Sequence, residues 1–496
     1  MRQVAISGRG GRLQAVLLEG GRLREWRTDH EAAGVWAGDL YCGRVTDVLP
    51  GIQSAFVDIG DGQKAYLYVD DALPKGSSSG GKPTISQRVQ VGETVIVQVS
   101  KEGTELKAPK VTARISLQGR YLVYLPKEEG VSLSRKIGDA AVRMHLQETL
   151  SVSLEQGEGV IIRTEAAGAQ ASRLVEELAY LKNRWSQILA SAQQLGKPGL
   201  VGRDAAMLEG VIRDLIGEGV DEVLVEESAA YQRTKAVMQV FAPEQLDRLV
   251  GYRERQPLFA RLGVDAQLKQ AMQRTVPLKS GGHLVIDRTE AMTVIDVNTG
   301  AFTGKGGQQR EQAVTMANLE AAAEIAVQLR LRDIGGIIVI DFIDMQEAAN
   351  KERVLTALKR ELSRDPVPAT VLGMTALGLV EMTRKRVRAS LAERMTEPCD
   401  ACRGQGRVWT VEEMLRRLSD ELTALARVQE AEAVVLELPE RLHQALDGMD
   451  GEERQRWPVE WFLLPSPELK PDEYRILYAG RYEEAARLAK KQSQMT

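Results

Sequence analysis

The chain has 496 residues, 43% of them hydrophobic and 27% charged, with a formal net charge of −4. That size exceeds the ~250–300 residues a single core supports, so several domains are expected. The charge balance excludes a global basic field for nucleic acid, and any such binding must come from local patches. No run approaches the ~18 apolar residues of a membrane-spanning helix, and Met1-Arg2-Gln3-Val4-Ala5-Ile6-Ser7 has no apolar signal core. Three cysteines, only two of them close together, exclude a disulfide framework and point to the cytoplasm. Four scattered histidines (His30, His145, His283 and His443) make a Ser-His-Asp triad or a histidine acid–base pair an unpromising basis for chemistry.

Residues 1–35 alternate between apolar and polar, with Gly20-Gly21 as a hairpin turn. Residues 36–117 read as all-β. Tyr41–Val45, Ala55–Ile59, Ala65–Val69 and Gly92–Val99 are short strands, separated by turns at Pro50-Gly51 and Gly60-Asp61-Gly62 and by a mobile Gly/Ser-rich loop over 75–82. Five short strands in this space suit a small OB-type barrel. Its Phe56, Tyr66 and Tyr68 offer a face for stacking bases, and Phe56 also suits a core position.

Over 118–205 a strand ends at Arg163-Thr164, where a fork-shaped cation beside a hydroxyl suits a phosphate or carboxylate. A long helix follows, with Leu174, Leu178, Leu181, Trp185 and Ile188 on one stripe, stopped by Gly196-Lys197-Pro198-Gly199. Strand and helix alternate over 206–275. The segment 276–396 is α/β: a strand ending Val294-Ile295-Asp296-Val297-Asn298, a long Ala-rich helix over 311–332, a strand Gly336–Asp344, and a helix whose Leu355, Leu358 and Leu362 share a face. A last helix is expected to carry Arg384, Lys385, Arg386 and Arg388 as a local basic patch for a phosphate backbone.

Residues two apart on a strand share a face, so Asp296 and Asn298 point the same way, toward the glycine-rich loop 300–307. Asp341 closes a second apolar strand in the same manner. Burying either carboxylate costs several kcal/mol (order of magnitude) unless it is paired or metal-bound. Two strands each delivering an Asp therefore suggest a shared cation, and oxygen-only ligands suit Mg2+ or Mn2+ rather than zinc. Cys399-Asp400-Ala401-Cys402 looks like a zinc knuckle with half of the four ligands that tetrahedral zinc requires, leaving a free pair or one zinc shared between two chains. Gly300–Gly306 imitates a phosphate loop, but it has three residues between its first two glycines instead of four, and Gly306 stands where Ser or Thr would hold a metal.

The segments Ile295–Gly300, Leu329–Gly336, Val339–Met345 and Glu381–Arg386 closely resemble the ribonuclease E/G family of endoribonucleases, and Ala376–Val380 with the chain length resembles its G branch. The resemblance implies an α+β multidomain fold. An RNase H-like subdomain (1–35 and 206–275) carries an inserted OB-fold (36–117) and a 5′-sensor domain (118–205). A DNase I-like α/β catalytic subdomain (276–396), a zinc link (397–409) and a small C-terminal oligomerisation domain (410–496) follow. It further implies Asp296 and Asp341 as magnesium ligands and Asn298 as their catalytic partner. Arg163, Thr164 and Val123 match a 5′-monophosphate pocket, and Phe56, Tyr66 and Lys107 match a clamp for single-stranded RNA. Cys399 and Cys402 match a structural Zn2+ site joining two protomers, so a homotetramer built as a dimer of dimers is expected. The implied activity is Mg2+-dependent cleavage of A/U-rich single-stranded RNA in rRNA maturation, tRNA processing and mRNA decay. The chain departs from the family pattern at Tyr66, Glu165, Asp400 and Ala376-Leu377. A non-catalytic RNA-binding factor on the same scaffold would not need to keep Asp296, Asn298 and Asp341, and the OB and 5′-sensor resemblance disfavours a DNA-directed nuclease.

Overall fold

A computed structural model describes every residue except 30–33, 61, 73–83, 104–107, 204–206, 217–218, 300–306 and 494–496. Lys107, the loop expected at 75–82 and the glycine loop 300–306 therefore lie outside the described residues. The chain forms two compact units, Met1–Arg394 and Met395–Thr496.

The first unit begins with β1 (Arg2–Ser7), β2 (Gln14–Glu19) and β3 (Arg22–Thr28). Gly20 and Gly21 take φ of 58° and 76° between β2 and β3, a left-handed backbone that glycine adopts without a Cβ penalty. The barrel follows: β4 (Leu40–Leu49), β5 (Ser54–Asp58), β6 (Lys64–Tyr68), β7 (Thr94–Lys101) and β8 (Lys110–Thr112). They pair in the order β4-β5-β6-β8-β7, and β7 pairs back onto β4, closing an OB-like barrel. Alternation fills it with Val45, Val57, Leu67, Val97 and Val111 and leaves Phe56, Tyr66 and Tyr68 half-buried on the outside.

A four-stranded sheet in the order β11-β12-β10-β9 comes next, made of β9 (Leu117–Gln118), β10 (Leu122–Leu125), β11 (Gly130–Leu133) and β12 (Gly159–Ile162), with α1 (Ala140–Ser151) between the last two. On it lies α2 (Ala171–Leu195), whose Leu174, Leu178, Leu181, Trp185 and Ile188 are all buried. Burying each such side chain contributes ~1.5–3 kcal/mol, so the apolar stripe docks the helix. A strand not foreseen in the sequence, β13 (Gly199–Gly202), returns to pair with β4. Then α3 (Met207–Leu215), β14 (Glu222–Val225), α4 (Ser228–Phe241) and β15 (Leu249–Gly251) complete the first sheet, in the order β15-β14-β1-β2-β3, followed by α5 (Leu258–Arg261) and α6 (Val264–Ala271).

The last sheet of this unit has the order β16-β17-β18-β19-β21-β20. Its elements are β16 (Thr275–Pro277), β17 (His283–Arg288), β18 (Met292–Asn298), α7 (Gly307–Leu331), β19 (Gly336–Asp341), α8 (Ala348–Leu362), β20 (Ala369–Met374), β21 (Leu379–Arg384) and α9 (Leu391–Met395). One face packs Ile295, Val297, Ile338, Ile340 and Met382 against Ile325 and Leu329 of α7 and Val354 and Leu358 of α8. The helix expected over Arg384–Arg388 is instead the end of β21 and a loop. Val380, Met382 and Arg384 are buried with exposed residues between them, a period of two that only a strand satisfies.

A buried ion network joins the sheet of β1–β3 to the sheet of β18 and β19. Glu25 on β3 is 1% exposed and lies 2.6 Å from Arg27, 2.7 Å from Arg330 of α7 and 3.3 Å from Arg388. Arg388 also reaches Asp333 at 2.8 Å, and Arg394 reaches the same carboxylate at 2.5 Å. The second unit holds α10 (Val411–Val428), β22 (Ala433–Leu438), α11 (Glu440–Asp447), α12 (Gly451–Gln455), β23 (Glu460–Pro465), β24 (Arg475–Gly480) and α13 (Tyr482–Ser493), with sheet order β23-β22-β24. Among the described residues no helix is long and apolar enough to cross a membrane.

Burial raises the Glu25 carboxyl, but the charges of Arg27, Arg330 and Arg388 outweigh it and hold its pKa at about 2, below the 4.5 of a free glutamate. A depressed pKa stabilises the fold above the unfolded value and loses that contribution as pH falls toward the folded one, a shift worth about 3 kcal/mol. Glu25→Gln should therefore lower unfolding stability by about 3 kcal/mol at pH 7. The gap from wild type should close as pH falls from 4.5 toward 2. A gap independent of pH in urea unfolding across that window contradicts the assignment.

Candidate active site

Strands β18 and β19 run parallel, and their register sets Ile295 beside Ile340 and Asp296 beside Asp341. Registered residues on neighbouring strands face the same side, and the strands lie ~4.8 Å apart. Because Ile295, Val297 and Ile340 turn into the core, Asp296 and Asp341 turn together to the exposed face. Asn298 lies two residues on, and its Nδ2 donates to Asp296 Oδ2 at 2.8 Å, fixing the carboxylate rotamer.

The segment after β19 is clamped from α7. The fully buried Asn318 donates from Nδ2 to the Ile343 carbonyl at 2.8 Å and accepts the Ile343 N–H on Oδ1 at 3.1 Å. With Phe342 and Met345 buried on either side, Asp344 is left exposed. Burial, then the negative charges of Asp296 and Asp344, push the Asp341 carboxyl up from its ordinary value. Among the described residues none of these three carboxylates takes part in an ion pair, and no described cation offsets the charges of Asp296 and Asp344 beside Asp341. No set of three His, Cys, Asp or Glu side chains among the described residues is arranged as a full metal cage. Oxygen donors in an open, negatively charged cluster fit a hydrated divalent ion such as Mg2+, which takes one or two carboxylates and keeps its waters.

The other expected residues are placed as follows. Phe56 and Tyr66 are registered partners on β5 and β6, with ring centroids 6.1 Å apart in an edge-to-face pair. The Ser54 hydroxyl donates to the Tyr66 hydroxyl at 2.6 Å, and Lys110 lies 6.0 Å from the Tyr68 ring on the same side of the barrel. Arg163 and Thr164 sit at the end of β12. Arg163 Nη1 donates to the Gly119 carbonyl at 2.8 Å, its Nε is 3.9 Å from Glu165, and the exposed Thr164 hydroxyl is 3.0 Å from that of Ser134. Val123, on β10, is registered with Ile161 two residues before Arg163.

The basic cluster does not gather at the carboxylates. Arg384 pairs with Gly336 and Leu379 with Asp341, so the cluster lies at the opposite end of β19, about 17 Å away by strand rise. Arg384 is 2% exposed, with its guanidinium on Asp365 at 2.7 Å and on the Ile334 carbonyl at 2.9 Å. Arg388 is committed to Asp333 and Glu25. Lys385 and Arg386 alone stay exposed from that group. In the second unit Cys399 and Cys402 are free thiols. The N–H groups of Cys402 and Ala401 lower the Cys399 thiol pKa, and Gly406 N–H donates to Cys402 Sγ at 3.2 Å. A cleft of about 390 Å³ between the first sheet and α7 includes none of Asp296, Asp341 and Asp344, and most of its arginines are already paired with its acids.

Asp344, Asn318 and Lys110 escaped sequence reasoning. Asp344 had a signal in its place three residues beyond Asp341, and Asn318 in being the single asparagine of an Ala-rich helix.

The family model described as the Ribonuclease E/G family matches residues 116–387. Ribonuclease G of Escherichia coli (strain K12) is 36% identical over 438 residues, covering 87% of this chain and 89% of that protein. Ribonuclease G of Haemophilus influenzae is 37% identical over 427 residues, covering 85% and 87%. Ribonuclease E of Nostoc is 38% identical over 373 residues, covering 74% of this chain and 54% of that longer protein. Identity of this extent, spanning both carboxylate strands, establishes that the chain belongs to the ribonuclease E/G family.

Proposed function

We propose that this endoribonuclease of the ribonuclease E/G family hydrolyses phosphodiesters within single-stranded, A/U-rich RNA in a Mg2+-dependent reaction, leaving 5′-phosphate and 3′-hydroxyl ends. Its setting is the cytoplasm, in rRNA maturation, tRNA processing and messenger decay. The observation that carries this is the registered pair Asp296 and Asp341, exposed together with no cation partner among the described residues. Mg2+ or Mn2+ bound there supplies Lewis-acid polarisation of the phosphodiester and a more acidic water. Asp296 and Asp341 would hold the ion, and Asn298 keeps one Asp296 oxygen occupied so that the other faces outward. Phe56 and Tyr66 offer faces on which bases stack, a contact worth ~1–3 kcal/mol per base. Lys385 and Arg386 are available for backbone phosphates. Arg163 and Thr164, beside Val123, are suited to a 5′-monophosphate, and Glu165 at 3.9 Å competes for the guanidinium. Cys399 and Cys402 supply half of a tetrahedral zinc site, completed by the same pair of a second protomer in a dimer of dimers.

Asp296→Asn and Asp341→Asn should each reduce cleavage of such an RNA at least ~100-fold while leaving RNA affinity within a few-fold, because each removes charge from the ion but nothing from the barrel surface. Cleavage within tenfold of wild type for either variant would end the assignment. Replacing both Cys399 and Cys402 with Ser should release metal and shift the oligomer to a smaller species, from wild type holding about half a zinc per chain. One zinc per chain, or an unchanged mass in sedimentation, contradicts the shared site. Wild type should cleave 5′-monophosphorylated RNA faster than the same RNA with a 5′-hydroxyl, and Arg163→Ala should erase most of that preference, roughly 10- to 150-fold for a charge-assisted contact. Equal rate ratios in the two proteins would remove Arg163 from 5′-end recognition without touching the nuclease.

A further inference from the structure

Arg163 is held by a turn that a buried acid on another element shapes. Glu177, on α2, is 1% exposed. Its Oε1 accepts the N–H groups of Tyr121 and Leu122, both at 2.9 Å, and its Oε2 accepts the N–H of Arg120 at 3.1 Å. Three convergent amides on one carboxylate are the kind of contact that keeps a buried charge tolerable. The turn is otherwise closed by Gly119 N–H donating to the Leu122 carbonyl at 2.8 Å. In an ordinary tight hairpin the return bond runs from the fourth N–H to the first carbonyl. Here Leu122 N–H goes to Glu177, and the Gly119 carbonyl turns to Arg163 Nη1 at 2.8 Å. The Tyr121 carbonyl accepts the Arg163 backbone N–H at 2.8 Å, so two carbonyls of one turn set both ends of that residue. Gly119 has no room for a side chain, since a Cβ there would lie 2.2 Å from Glu177 Oε1.

We infer that Glu177 is a positioning residue for 5′-end recognition: by taking the amides of residues 120–122 it frees the Gly119 carbonyl to aim the Arg163 guanidinium. This rests on the assignment of Arg163 to a 5′-monophosphate. Burial raises the Glu177 carboxyl, and the Leu122, Tyr121 and Arg120 amides and the Arg163 charge act against that rise. Gln at 177 keeps the volume but presents an NH2 group to at least one of the three donors, so the turn must rearrange.

The test measures the cleavage rate ratio between 5′-monophosphorylated and 5′-hydroxyl forms of one RNA for wild type, Glu177→Gln, Gly119→Ala, Arg163→Ala and the Glu177→Gln/Arg163→Ala double variant. Glu177→Gln and Gly119→Ala should each lower the ratio at least fivefold, and adding Glu177→Gln to Arg163→Ala should change the ratio less than twofold. A general folding defect lowers both rates together and leaves the ratio in place, so that outcome overturns the inference, as does a Glu177→Gln effect of the same size in the Arg163→Ala background. If Glu177→Gln does not fold, Gly119→Ala alone decides the matter by the same criterion. Loss of the ratio in Arg163→Ala with full retention in both other single variants overturns the inference and leaves the 5′-end assignment standing. A wild-type ratio of one overturns both.

Discussion

Everything in the site depends on two like charges being held side by side by the parallel register of β18 and β19. Ile295, Val297, Ile338 and Ile340 bury one face of that pair against α7 and α8, and a slip of either strand by one residue would turn its own apolar residues outward and bury its acid. The hydrophobic core therefore fixes the position of a cluster that electrostatics alone would push apart. Burial raises the Asp341 carboxyl and the charges of Asp296 and Asp344 add to the rise, and a divalent cation is the physical remedy that the donor chemistry favours.

The rest of the first unit works as support at several removes. Asn318 clamps the Ile343 backbone and so holds the segment joining Asp341 to Asp344. Glu25 ties β3 to the end of α7 and to Arg388, so the sheet of β1–β3 and the carboxylate sheet share one buried ionic joint. Such a joint is costly to desolvate and destabilising to break, which makes it a device for fixing geometry more than for adding net stability. The barrel and the β9–β12 sheet present their aromatic and cationic groups on rigid strands and tight turns, which suits recognition elements better than free loops do.

The carboxylate pair was legible in the sequence because an apolar strand ending in Asp is a strong local pattern, and Asp296 and Asp341 fall at matching ends of two such strands. The α2 stripe and the barrel were legible for the same reason: period in sequence maps directly to face in structure. The basic run Arg384–Arg388 is misleading along the chain because its charge is conspicuous while the period-two burial of Val380 and Met382 is not, and because partners such as Asp365 and Asp333 are distant in sequence. Asn318, Glu177 and Gly119 were illegible as functional supports, since each acts through backbone groups distant in sequence. Strand β13 was hidden by its shortness and two glycines, and only its pairing with β4 reveals it.

The most direct test of a metal-dependent endoribonuclease built on Asp296 and Asp341 is incubation of the purified protein with an end-labelled, 5′-monophosphorylated A/U-rich RNA in Mg2+, in Mn2+ and in excess EDTA, with mapping of product ends. Internal cleavage leaving 5′-phosphate and 3′-hydroxyl ends, present with either ion and abolished by EDTA, is the expected result. Cleavage undiminished in EDTA, or no cleavage with either ion by a protein that binds the RNA, would contradict it.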